Sequence, residues 1–160
     1  MDIFDDLDRR AAKLKDADGR PSQSPFTKGQ VNIARLYRDL VERHDAGGMK
    51  LASLEGRTGG SGSAGRDFMD AYVAEGRAIQ RLREAIGGGV ALEVRRVRRS
   101  ARGGECARLI HDRVLVDAIC LHGKSFRDVL DEHGWSDAGP NIKALIPALS
   151  AALDRMQGYG

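Results

Sequence analysis

Apolar residues recur along most of this chain at steps of three and four, the spacing that places them on one face of a helix. Ile3, Phe4, Leu7, Ala11 and Leu14 mark a short amphipathic helix, read as loosely attached, which Asp18-Gly19-Arg20-Pro21 ends. Thr27 and Gln30 form the capping-box pattern at the start of a second helix, in which Val31, Ala34, Tyr37, Leu40, Val41 and His44 share a face until Asp45-Ala46-Gly47-Gly48 stops it. Met49 to Arg66 is expected to be a loop, with Gly59 to Gly65 too rich in Gly and Ser to bury itself. A third helix is expected from about Asp67 to Ile86, with Phe68, Tyr72, Val73, Ile79, Leu82 and Ile86 inward and Arg77, Arg81 and Arg83 outward. Gly87-Gly88-Gly89 ends it, and Val90, Leu92, Val94 and Val97 fit either a strand or a helical turn.

The last third changes rhythm. Val114 to Cys120 reads as a helix that breaks at Gly123, Ser125 to His133 as a helix of about two turns, and Ile142 to Met156 as a longer one. Ser125 is placed to cap the middle helix, and Gly134 to end it in the left-handed conformation. So short a helix must be clamped by its neighbours, through Phe126, Val129 and Leu130 on one side and Trp135 as a core plug in the turn. The expected core is Leu115, Ile119, Phe126, Leu130, Trp135, Ile142, Leu145 and Leu149. Pro140 suits the first turn of the long helix and Pro147 interrupts it, leaving Asn141, Lys143, Ser150, Asp154 and Arg155 for its outer face. This is the outline of a helix-turn-helix, whose third helix is the one presented to DNA.

Composition agrees with an all-α chain: 41% of the 160 residues are hydrophobic and only 5% aromatic, and strand signals are poor. The expected organisation is a flexible N-terminal helix and linker over 1–25, a helical hairpin-like region with its Gly/Ser-rich loop over 26–89, a basic hinge over 90–104, and a three-helix helix-turn-helix unit over 105–160. The net charge of +3 is mild, so its distribution matters more. Arg95, Arg96, Arg98, Arg99, Arg102 and Arg108 face only Glu105, whereas the chain begins with Asp2, Asp5, Asp6 and Asp8. No apolar run is long enough for a membrane span or signal peptide, and two cysteines are too few for a disulfide framework, so a reduced, cytoplasmic, nucleoid-associated protein without a membrane partner is expected.

Signs of catalysis are weak. Gly60-Ser61-Gly62-Ser63-Ala64-Gly65 spells a dinucleotide-binding fingerprint, but Leu51 to Arg57 upstream lacks the length and β-branching of a buried strand, so it reads as linker. His44, His111, His122 and His133 lack metal-ligand spacing and suit core or capping roles. Cys120 lies among apolar residues, and Cys106 has no nearby His to activate it. Neither a catalytic site, a metal site nor a cofactor is expected. The chemistry on offer is DNA contact: Arg95, Arg96, Arg98, Arg99 and Arg102 as an arm along phosphates, with Lys124, Ser125, Ser136, Asn141 and Lys143 meeting DNA at the helix-turn-helix.

Asp18-Gly19-Arg20-Pro21, Ser24-Pro25-Phe26, Gln30, Tyr37-Arg38, the Gly-rich segment, Asp70-Ala71-Tyr72, Asp117-Ala118-Ile119-Cys120, Gly123, Leu130, Gly134-Trp135 and Ala148-Leu149 follow one another in an order that resembles a bacterial helix-turn-helix family of uncharacterised domains. Such domains are met in regulators of phage, prophage and gene-transfer-agent clusters. The C-terminal half is also similar to the fourth region of sigma factors, although Asp137 near the third helix and the few basic residues after it depart from that model. The resemblance implies a transcription regulator, an activator that binds double-stranded DNA. Two alternatives follow from the same motif: an antitermination factor whose sigma-like module binds RNA polymerase, and a phage DNA-packaging protein.

Overall fold

In the computed structural model, which describes residues 2–15, 22–55, 63–94 and 107–158, the protein is mostly helical, with one small sheet. Helix α1 (Ile3–Lys13) is capped by Asp2, whose carboxylate accepts from the Asp5 N–H. It is docked rather than loose: Phe4 is buried and meets the Phe26 ring edge-on at 5.3 Å. Helices α2 (Lys28–Glu55) and α3 (Ser63–Ile86) follow, then strands β1 (Val90–Leu92) and β2 (Ile110–His111), paired antiparallel. The open choice over Val90 to Val97 thus falls to a strand for Val90–Leu92. Helix α4 (Asp112–Val116) runs on into a wide π-helical turn, Asp117–Leu121, and α5 (Phe126–Glu132) and α6 (Gly139–Met156) complete the chain.

The expected stop at Gly47-Gly48 is wrong, and α2 runs 28 residues through both glycines. The reason lies across the hairpin. A Cβ on Gly47 would stand 3.1 Å from Tyr72 Cδ2, and one on Gly48 3.1 Å from the Tyr72 hydroxyl. These glycines admit a partner's ring instead of ending a helix. His44 stacks on the same ring at 4.1 Å, and a Cβ on Gly76 would in turn meet His44 Nε2 at 3.1 Å. Val73, expected inward, is 43% exposed, because α3 turns its Tyr72–Gly76–Ile79 face to α2.

One cluster of buried residues joins the two halves of the chain. Tyr37 of α2 and Ile79 and Ile86 of α3 share it with Leu115 and Val116 of α4, Val129 and Leu130 of α5, and Leu145, Leu149 and Leu153 of α6. Polar contacts cross the same boundary. The expected Thr27–Gln30 box is formed in both directions, and the buried Gln30 amide then donates to the Ser150 hydroxyl and to Asp154, both at 2.8 Å. Arg155 donates to the Ile86 carbonyl that ends α3 and to the buried Asp112 carboxylate at 2.6 Å. Ser150, Asp154 and Arg155 therefore do not form an outer face of α6: they hold that helix to α2, α3 and α4. Arg83, also expected outward, donates to the Tyr37 hydroxyl, which itself donates to Asp117 at 2.8 Å.

Candidate nucleic-acid interface

The turn into α5 starts at Gly123, whose φ of 61° suits glycine, and Ser125 then caps the helix. Its hydroxyl oxygen accepts from the Asp128 N–H at 3.2 Å, and Asp128 accepts from the Ser125 N–H at 2.8 Å. These hydrogen bonds, with Lys124 nearby, hold the Asp128 carboxyl below its ordinary value. Lys124 closes against the far end of the same helix, its ammonium lying 2.6 Å from Glu132. At the other end His133 bonds the Val129 carbonyl and Gly134 takes the left-handed conformation. Phe126, Val129 and Leu130 are the buried clamp that the spacing predicts.

Trp135 is not the expected core plug. It is only partly buried, and its indole N–H donates to the Arg108 carbonyl at 2.7 Å. The Arg108 N–H in turn donates to the His133 carbonyl at 2.8 Å. Sequence reasoning missed this pin, because it depends on backbone groups that carry no residue-type signal.

The five described candidates fall into two groups. Lys124 and Ser125 stand together at the start of α5, while Ser136, Asn141 and Lys143 stand at the start of α6. Four of them are already engaged, since the Asn141 amide donates to the Ser136 carbonyl at 2.8 Å and also contacts its hydroxyl. Lys143 is exposed and makes no hydrogen bond or ion pair among the described residues. Arg95, Arg96, Arg98, Arg99 and Arg102 lie outside the described residues, as does Cys106.

The residues flanking that basic segment are well placed. Val94 before it and Ala107 after it line one cleft of about 550 Å3, together with β1, Trp135 and Ala144 of α6. The other side of Trp135 faces a shallow cleft lined by Arg127, Asp128, Asp131, Ser136 and Asp137. Over residues 107–158 seven acidic side chains stand against six Lys and Arg, so this unit alone offers phosphates no net attraction.

Elsewhere, burial pushes the Cys120 thiol up to about 12, with the Asp117 charge adding to the effect, which leaves it unsuited to nucleophilic chemistry. Among the described residues no group of three or more His, Cys, Asp or Glu is placed to hold a metal ion, and no helix is long and apolar enough to cross a membrane. Compared with family models, characterised proteins and solved structures, the chain has no significant match.

Proposed function

We propose that the protein is a double-stranded-DNA-binding transcription regulator, an activator of the phage or gene-transfer-agent type, acting in the cytoplasm at the nucleoid. One observation carries this reading: Val94 and Ala107, the described residues on either side of the arginine-rich segment, both line the cleft beside the first turns of α6, and Arg108 is held there by its hydrogen bonds with His133 and Trp135. Arg95, Arg96, Arg98, Arg99 and Arg102 supply the phosphate affinity that the near-neutral helical unit lacks. Lys143 and the exposed start of α6 supply the groove contact, with Asn141 exchanging its Ser136 bond for a base edge.

Titrations of the full chain on cognate and scrambled duplexes, at two salt concentrations, test this assignment. Replacing Arg98, Arg99 and Arg102 by Ala is expected to weaken both alike and to flatten the salt dependence by about 0.9 per lost contact. Asn141→Ala is expected to cost about 1 kcal/mol on the cognate duplex, at the low end for a base contact because its Ser136 bond is forfeited first. Equal affinity of the triple-alanine chain and the wild type would overturn the assignment.

A second reading, an antitermination factor that binds RNA polymerase, draws on the Asp128, Asp131 and Asp137 side of the unit, where three acids against Arg127 disfavour phosphate and suit basic side chains on a protein partner. Recovery of polymerase from nuclease-treated lysate on the wild-type chain, lost on Asp131→Lys, would favour it.

A further inference from the structure

Helix α1 lays acidic side chains on α2 in a particular geometry. The Arg35 guanidinium donates from Nε to Asp2 at 2.9 Å and from Nη2 to Asp5 at 2.7 Å, so two oxygens from two carboxylates occupy its fork as the two free oxygens of a phosphodiester would. Arg38 stands beside it on α2, loosely paired with Asp39 at 3.8 Å and close enough for its charge to act on Asp2. Asp2, Asp5, Arg35, Arg38 and Gly123 line one open, polar cavity of about 440 Å3. Gly123 belongs to the turn that leads into α5, and nothing lies within 4 Å of where its Cβ would be, so a bulky ligand can approach the backbone there. The cavity thus opens onto the turn that leads into α5, and its cations belong to α2.

We infer that Arg35, Arg38 and the Gly123 turn form a phosphate-backbone subsite for double-stranded DNA, covered in this structure by Asp2 and Asp5. This rests on the DNA-binding reading above. The carboxylates neutralise the subsite and compete with DNA for it. Arg35 is 39% exposed and Asp5 48%, so that pair holds weakly and a polyanion can displace Asp5, whereas Asp2, 14% exposed and tied to the helix start, is the firmer half of the cover. Asp2 and Asp5 thereby lower affinity for every duplex without touching base recognition.

Anisotropy titrations of the full chain against a fluorescein-labelled random-sequence duplex test the proposal. Because Asn caps a helix as well as Asp does, D2N/D5N keeps α1 capped, and the single variant D5N leaves the cap untouched. D2N/D5N is expected to bind roughly five- to tenfold tighter at low salt, with a salt dependence steeper by about one to two contacts, and D5N to show part of that gain. Adding R35Q/R38Q is expected to erase the gain, so that D2N/D5N/R35Q/R38Q and R35Q/R38Q bind alike. If the wild type binds with an affinity that depends on Arg98, Arg99 and Arg102, but D2N/D5N and D5N match it, the covered subsite is wrong and the DNA-binding reading stands. The subsite is equally wrong if the gain persists in the quadruple variant. Failure of every variant to bind the duplex overturns both.

Discussion

Asp112 is, with Gln30, one of two buried polar side chains among the described residues. Its carboxylate is buried, and a Cβ on Gly89 would collide with its Oδ2, so the loop before β1 must be glycine at that point. Arg155 is its ion-pair partner, and Arg155→Ala strands a buried charge while uncapping the Ile86 carbonyl. The expected loss is about 2 to 4 kcal/mol, somewhat below that for a fully buried pair because Arg155 is itself partly exposed. Trp135→Ala removes a half-buried ring and one hydrogen bond, so its expected cost is smaller, about 1 to 3 kcal/mol. Chemical denaturation of both variants checks the order. A Trp135 variant less stable than the Arg155 variant would restore the indole as the plug of the core.

Among the elements, the α2–α3 hairpin shows how a local signal misleads. Gly47-Gly48 carries a penalty of about 1 kcal/mol per glycine in a helix interior, which locally reads as a stop. The close approach of Tyr72 makes that penalty worth bearing. Gly47→Leu is therefore expected to destabilise by about 1 to 3 kcal/mol despite its better helix propensity, since the added side chain drives into the ring. With Tyr72→Ala in the same chain, the Leu is expected to fit and the loss to shrink. Urea titrations of the single and double variants measure the coupling, and an additive result would mean that the glycines do not serve Tyr72. Helix α5 is the opposite case: its Ser125 cap, its Phe126, Val129 and Leu130 clamp and its Gly134 exit are all local, and all three are present as the spacing predicts.

At the scale of the whole molecule, the shared core and the bonds through Gln30, Arg155 and the Arg83–Tyr37–Asp117 chain couple the N-terminal helices to α4, α5 and α6. Burial pushes the Tyr37 hydroxyl above its ordinary value, although the bond from Arg83 acts against it, so the phenol stays protonated to donate to Asp117. A coupled body of this kind is expected to unfold in one step. Far-ultraviolet circular dichroism, dominated by α2 and α3, and fluorescence of Trp135 in the α5–α6 turn are therefore expected to give the same denaturant midpoint. Separate midpoints would show that the segments 26–89 and 105–160 fold independently.

Local spacing and residue type suffice for the helical class, the start of α2 at its Thr27–Gln30 box, the end of α3, the α5 cap and clamp, and the apolar stripe of α6. Each of these depends on residues within about one or two helical turns, where spacing and backbone chemistry act directly. Which way the polar residues face depends instead on packing between helices. Ser150, Asp154, Arg155 and Arg83 look like solvent residues on their own helices, but they point inward because buried partners on other helices need them. A polar side chain takes the nearest partner that burial leaves unsatisfied, and when that partner is far away in the chain, periodicity carries no trace of it.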